Sequence, residues 1–430
     1  MKIAQVEGAS GMKPPGESAS VLRAVRAEGR RAEFEHHLGL LLAEGETLSA
    51  GNELELLIDG PESFASMFEA LESAQRSILI ESYIFEAQDY GERIAATLLQ
   101  KRAQGVSVHV IYDSVGSFTT PVAFFDELRA GGVELCEFNP VSPLRRLTGF
   151  LQLNHRDHRK VLVVDERVAF TGGINISSVY SSGSFAGSRR HRRERAADEH
   201  WRDTHVRIEG PAVRAFVDSF SATWARQRCA GEPEFELASA AVEPPENGER
   251  LVAVIDSPGD DDSTRFYRAL LRAINGASVS IHITMAYFVP DPQLLEALGD
   301  AARRGVEVVL VLPGRSDSTL VLRAGQAHYA DLMAAGVRIH EKHDVLLHAK
   351  TAVIDGVWST IGSSNLDWRS FLHNDELNVV ILGRQFGAAM EALFERDVER
   401  ARPVDAKEWE VRGRGRRLME SFANFWEFWL

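Results

Sequence analysis

The chain is poor in cysteine. Cys136 and Cys229 are the only two in 430 residues. That is too few for a disulfide framework, so two thiols in a reducing compartment are expected. No CxxC pair or Cys/His cluster marks a structural zinc site, and neither a metal nor any other cofactor is expected. Long apolar runs are also missing. Nothing approaches the roughly 18 consecutive apolar residues needed to cross a bilayer, so any membrane role is expected to be peripheral. The first residues, MKIAQVEGASGMKPPGESAS, lack the apolar stretch of a secretory signal. Positive charge is in deficit: 48 Lys+Arg against 62 Asp+Glu leave a net charge of −14. This argues against bulk nucleic-acid binding, though not against a local basic site.

What remains is the composition of a soluble globular protein, 44% hydrophobic and 26% charged. The length suits two or three domains, each with its own core. The main organising signal is an internal duplication. Strand-like SILIESYIF at 77–85 is echoed by SVSIHIT at 278–284, and helices ending in Gly105-Val106 and Gly305-Val306 each lead into a β-branched strand. This alternation predicts an α/β fold: two duplicated halves, each a mixed or mostly parallel sheet flanked by helices, related by a pseudo-twofold axis. Residues 1–47 read as a tail and helix, with 1–18 disordered and 21–42 helical. The first half spans 48–230 and the second 251–400. The Pro- and Glu-rich stretch 231–250 is a linker, and 401–430 is a basic, aromatic tail.

Each half carries the same motif. His158, Lys160 and Asp165 are followed by Gly172, Gly173 and Asn175; His348, Lys350 and Asp355 are followed by Gly362, Ser363 and Asn365. Both are HxKxxxxD on a β-branched run, so the histidine and lysine of each share one face of a strand. The aspartates complete the catalytic motif by position, but they fall at the turn of a β-hairpin and are expected to hold that turn. The small residues, Gly173 and Ser363 among them, are expected to let a ligand approach the backbone, with Asn175 and Asn365 supplying amides. Two such faces brought together give two imidazoles, two ammonium groups and two amides around one point. That set suits a single phosphoryl group, with one histidine attacking phosphorus and the other protonating the leaving oxygen. A single HxK is commonplace; two at corresponding places are not.

With these motifs the chain resembles the phospholipase D superfamily. The flanks Asn154 to Lys160, Asp203 to Val213, Tyr287 to Pro290 and Asn365 to Ser370 are similar to bacterial cardiolipin synthases of the kind without N-terminal membrane spans. The resemblance implies a ping-pong phosphatidyl transfer. His158 would form a phosphohistidine, and His348 would act as general acid and then base. Lys160, Lys350, Asn175 and Asn365 would bind phosphate. Asp203 and Glu376 would each orient the histidine of its own motif. Tyr83 and Tyr287 are either pocket walls or core.

The resemblance further implies a phospholipid substrate of the phosphatidylglycerol type and a peripheral position on the cytoplasmic side of the membrane. No nucleic acid is expected, and no oligomer is required. Two segments are candidates for lipid contact. One is the basic run Arg189, Arg190, Arg192, Arg193 and Arg195. The other is the tail, where Arg412, Arg414, Arg416 and Arg417 precede Leu418, Phe422, Phe425, Trp426 and Trp429. For the first, a solvated loop is the favoured reading; for the second, packing on its own domain or on a partner stands level with membrane contact. Phospholipid hydrolysis, a nuclease activity and a non-catalytic binding module are the alternatives. The module is disfavoured because all four motif histidines and lysines are present.

Overall fold

A computed structural model describes residues 5–9, 11–141, 154–181, 201–230, 250–259 and 264–411. The basic run at 189–195, the linker at 231–249 and the tail beyond 411 lie outside the described residues.

Among the described residues, each half contains a mixed sheet with the same order of seven main strands. In the first, Glu134–Phe138, Ser107–Asp113 and Ser77–Ser82 lie parallel, and Lys160–Val164, Val168–Gly172, Thr204–Glu209 and Ser49–Ile58 continue antiparallel. In the second, Arg338–Lys342, Glu307–Pro313 and Ser280–Met285 are parallel, followed by Lys350–Ile354, Trp358–Gly362, Asn374–Leu382 and Arg250–Ser257. The outermost strands Ser49–Ile58 and Arg250–Ser257 pair with each other, so the two sheets are continuous. The strands form where β-branched runs lie, and helices such as Arg265–Gly276 bury one stripe, Phe266, Tyr267, Leu270 and Ile274. Gly105 and Gly305 follow corresponding helices at φ 91° and 92°, the left-handed region that a side chain would strain. One core is shared by both halves: Val161, Val163 and Phe216 of the first pack with Val353, Ile361 and Val379 of the second. This places the two motif hairpins side by side.

Two expectations about the N-terminal region change. Residues 5–9 and 11–18 are ordered: Glu7–Gly8 pairs with Gly11–Met12, and Val6 is fully buried. The single helix is two, Pro15–Ala27 and Arg31–Ala43, broken where Gly29 and Arg30 take φ values of 112° and 49°. Their apolar faces, including Leu22, Phe34 and Leu38, join the core of the second half. The expectation of two free thiols also fails. Cys136 and Cys229, 93 residues apart, form a disulfide between strand Glu134–Phe138 and the turn just after helix Val213–Arg226. The low cysteine count therefore carries no argument for a reducing compartment.

Candidate active site

The motif hairpins turn on two residues each. Asp165 and Glu166 have φ 53° and 56°, and Asp355 and Gly356 have φ 52° and 63°. Positive φ at both central positions is the turn that matches strand twist. Asp165 and Asp355 are at this far end, seven residues or about 23 Å of strand from their histidines. The Asp165 carboxylate accepts from the backbone N–H groups of Gln75, Arg76 and Ser77 at 2.9, 2.7 and 2.9 Å. Asp355 accepts from Ser278, Val279 and Ser280 at 3.1, 2.7 and 3.0 Å, and its Oδ2 meets buried His37 Nε2 at 3.0 Å. Both carboxylates are committed to holding the hairpin onto the neighbouring strand, so they belong to the scaffold and not to the reacting groups. Asp355 is held down to about 2: burial pushes it up, but His37 and the three N–H groups outweigh that.

At the other end, each hairpin is zipped to the opposite half. Arg156–Asp157 runs parallel to Asn374–Asp375, and the His158 N–H donates to the Asp375 carbonyl at 2.9 Å. Trp201–Arg202 runs parallel to Leu346–Leu347, and the His348 N–H donates to the Arg202 carbonyl at 2.8 Å. The next residue after each carbonyl is an acid. Glu376 therefore meets His158, with its oxygens 3.0 and 3.2 Å from Nδ1. Asp203 meets His348, 2.8 Å from Nδ1. The expected pairing within each motif's own half is reversed: the dyads are crossed, because the acid strand of one half completes the motif strand of the other.

The lysines close the site. Lys160 Nζ and Lys350 Nζ donate to the carbonyls of His158 and His348, both at 2.5 Å, and Lys350 Nζ is also 3.0 Å from His348 Nδ1. Lys350 acts electrostatically on His158, and Lys160 on His348, so the half-sites share one space. Burial lowers His158 to about 4, with Glu376 opposing and Lys160 reinforcing. Burial and the Lys350 ammonium also lower His348. Burial brings Lys160 to about 7 and Lys350 to about 8. Burial pushes Asp203 and Glu376 upward, yet their histidine partners, through close contact and a hydrogen bond, and the lysine ammonium groups hold both below the ordinary carboxylate value. The outcome is neutral imidazoles held by ionised carboxylates, the state in which a nitrogen can attack phosphorus.

The small residues serve the acids. A Cβ on Gly173 would stand 2.1 Å from Asp203 Oδ1, so this glycine makes room for the carboxylate and not for a ligand. Ser363 Oγ accepts from the Leu377 N–H at 3.0 Å and bonds to Glu376. Asn175 Oδ1 accepts from the Ile84 N–H at 3.3 Å, whereas buried Asn365 Oδ1 has no partner among the described residues. Tyr83 lies edge-on to His158 at 5.2 Å, and Tyr287 edge-on to His348 at 6.5 Å, so both tyrosines line the site. Among the described residues, no group of three or more His, Cys, Asp or Glu is placed to hold a metal ion.

The family model described as cardiolipin synthase, PLD-like domain, matches residues 67–183 and 270–398, one match on each half. Cardiolipin synthase of Geobacillus thermodenitrificans is 35% identical over 385 residues, covering 88% of this chain and 72% of that protein. Cardiolipin synthase A of Pseudomonas entomophila is 35% identical over 364 residues, 84% of this chain and 71% of that one. The chain belongs to the cardiolipin synthase family. Its fold is also that of phosphatidylserine synthase from Haemophilus influenzae, with a TM-score of 0.65 at 13% identity over 88% of this chain and 95% of that one. No helix among the described residues of this family member is long and apolar enough to cross a membrane.

Two parts of the site escaped sequence reading. Tyr180, fully buried, places its hydroxyl 3.0 Å from His348 Nδ1 and bonds to Asp203. Arg159, between His158 and Lys160, points the other way, into the shared core. It donates to Glu81, Asp375 and Thr223 at 3.1, 3.0 and 2.9 Å and meets Asp256 at 2.5 Å. Asp375 also holds His155 at 2.6 Å. A charged residue at the inward-facing position of the first motif, where the second has Ala349, was the available signal.

Proposed function

We propose that the chain is a phosphatidyltransferase that makes cardiolipin from two phosphatidylglycerol molecules and releases glycerol. His158 Nε2 attacks the donor phosphorus, forming a P–N bond and breaking the P–O bond to the glycerol headgroup. His348 gives its proton to that leaving oxygen. The acceptor hydroxyl then loses its proton to His348 and attacks phosphorus, and the P–N bond breaks to free His158. Lys160 and Lys350 neutralise the diester, whose negative charge in turn favours the protonated forms of His348 and both lysines. Asn175 and Asn365 contribute amide contacts.

The observation that carries this reading is the pair of crossed dyads, one imidazole and one carboxylate at each end of a shared lysine pair. The relatives' names point the same way: transfer to a lipid hydroxyl rather than hydrolysis by water. The substrate is thus a phospholipid, and the protein works peripherally on the cell membrane. The test is incubation with phosphatidylglycerol vesicles and product identification by mass. Cardiolipin and glycerol are expected. Phosphatidic acid alone would replace transferase with hydrolase, and cut oligonucleotides with untouched lipid would overturn both.

A further inference from the structure

The strands Ser77–Ser82, Ser107–Asp113 and Glu307–Pro313 deliver chain to the end of the sheets where the histidines lie, since Ser82 pairs with Lys160. Two corresponding loops follow there. Residues 114–121 pack on Tyr83: Ser117 Oγ donates to the Tyr83 carbonyl at 3.3 Å, and a Cβ on Gly116 would stand 2.1 Å from that oxygen. Tyr83 in turn lies against His158. The counterpart loop carries Asp317, which accepts from the Tyr287 hydroxyl at 2.7 Å beside His348. Both loops therefore rim the candidate site.

Seven large hydrophobic side chains are exposed among the described residues, and four of them sit on these loops or the helix starts that follow. They are Val115 at 39%, Phe118 at 81%, Val122 at 71% and Leu320 at 39%. The stretch 114–125, SVGSFTTPVAFF, contains no charged residue. A cluster of exposed apolar groups at one end marks an interaction surface. An uncharged apolar tip between hydroxyl residues suits a lipid interface, where apolar groups enter and hydroxyls stay among headgroups.

We propose that the loop at 114–121 and the helix start behind it dip into the bilayer that presents the substrate, with Phe118 as the principal anchor. The inference rests on the phosphatidyl-transfer reading. Acyl chains keep the lipid diester in its bilayer, so the buried histidines reach it only where the rim of the site meets the membrane.

The experiment uses the full chain. With the native cysteines paired, Phe118→Cys takes a thiol-directed, environment-sensitive fluorophore at one position, and Val279→Cys, exposed at the opposite end of the sheet, takes the same label as a control. Vesicles of phosphatidylglycerol and phosphatidylcholine should shift emission at 118 to the blue and leave 279 unmoved. Phe118→Ser combined with Val122→Ser should weaken vesicle co-sedimentation about tenfold. Turnover of vesicle substrate should fall with it, while turnover of a short-chain, monomeric phosphatidylglycerol is unchanged. An unshifted label at 118, or unaltered vesicle binding by the double variant, overturns the inference while the chain still turns over lipid. So does a change in oligomeric state of the double variant without lipid, which would assign the patch to a second copy. No turnover of vesicle or monomeric lipid by the parent protein overturns the phosphatidyl-transfer reading instead.

Discussion

Glu376 stands 3.0 Å from His158 Nδ1 across 218 residues of chain, and Asp203 stands 2.8 Å from His348 Nδ1 across 145. Each acid therefore pairs with the histidine of the other half, and this separates two variants that sequence order would assign the other way round. Glu376→Gln should impair attack by His158, and Asp203→Asn should impair proton transfer by His348. Each should lower kcat by roughly a hundred- to ten-thousand-fold on phosphatidylglycerol. A p-nitrophenyl ester of phosphatidic acid needs no general acid for its leaving group. Burst release of p-nitrophenol should recover in Asp203→Asn and stay slow in Glu376→Gln; the opposite pattern would falsify the crossed assignment.

Tyr180→Phe removes a hydroxyl that touches both members of the second dyad. The expected loss is about tenfold in kcat with little change in KM, and about 1 kcal/mol in stability. Steady-state kinetics and a denaturant titration measure the two effects separately.

The lysines set a basic limit on binding. Burial depresses both, to about 7 for Lys160 and about 8 for Lys350, so their charge is present at lower pH and lost as pH rises through that window. Affinity for a non-reactive phosphonate analogue of phosphatidylglycerol should fall as pH rises above about 7. Lys160→Arg should leave a single limb near the Lys350 value, seen by calorimetric titration across pH.

Asp355→Ala should cost about 3 kcal/mol or more, because it strands buried His37 and three backbone donors together. Asp165→Ala should cost less, since its turn is partly exposed and no buried imidazole depends on it. Urea unfolding of both variants checks the order. Acid should weaken this contact in the parent protein too: the Asp355 pKa is lowered in the folded state, so its contribution is lost as pH falls through about 2.

Cys136→Ser with Cys229→Ser opens a loop of 93 residues. Stability should drop by about 2–4 kcal/mol, and a reducing agent should reproduce the drop in the parent protein alone. Thermal unfolding with and without dithiothreitol decides this.

The hairpins were legible because β-branched runs and a turn aspartate fix them locally, and the duplication showed that they come in a pair. The turn position of Asp165 and Asp355 was legible from their odd offset and the turn residues beside them, although the motif also counts them with its catalytic residues. The crossing was not legible. It depends on two-residue pairings, Arg156–Asp157 with Asn374–Asp375 and Trp201–Arg202 with Leu346–Leu347, that no periodicity announces. Tyr180 follows Asn175 in a segment with no apolar rhythm, and its role exists only in three dimensions. The N-terminal residues look like coil by composition, yet Val6 is buried because the second half lends them a core. Counting cysteines could not reveal that two distant ones meet.

Crossing has an evolutionary consequence. Were one such unit to assemble as a symmetric homodimer, the same residues would stand behind both imidazoles, and any mutation would strike both at once. A fused tandem is released from that tie. Five residues after each motif asparagine, one copy now has Tyr180 and the other Ser370, and the acids are aspartate in one and glutamate in the other. In the fused chain a substitution behind one imidazole leaves the other untouched, so each half-site can be altered by itself.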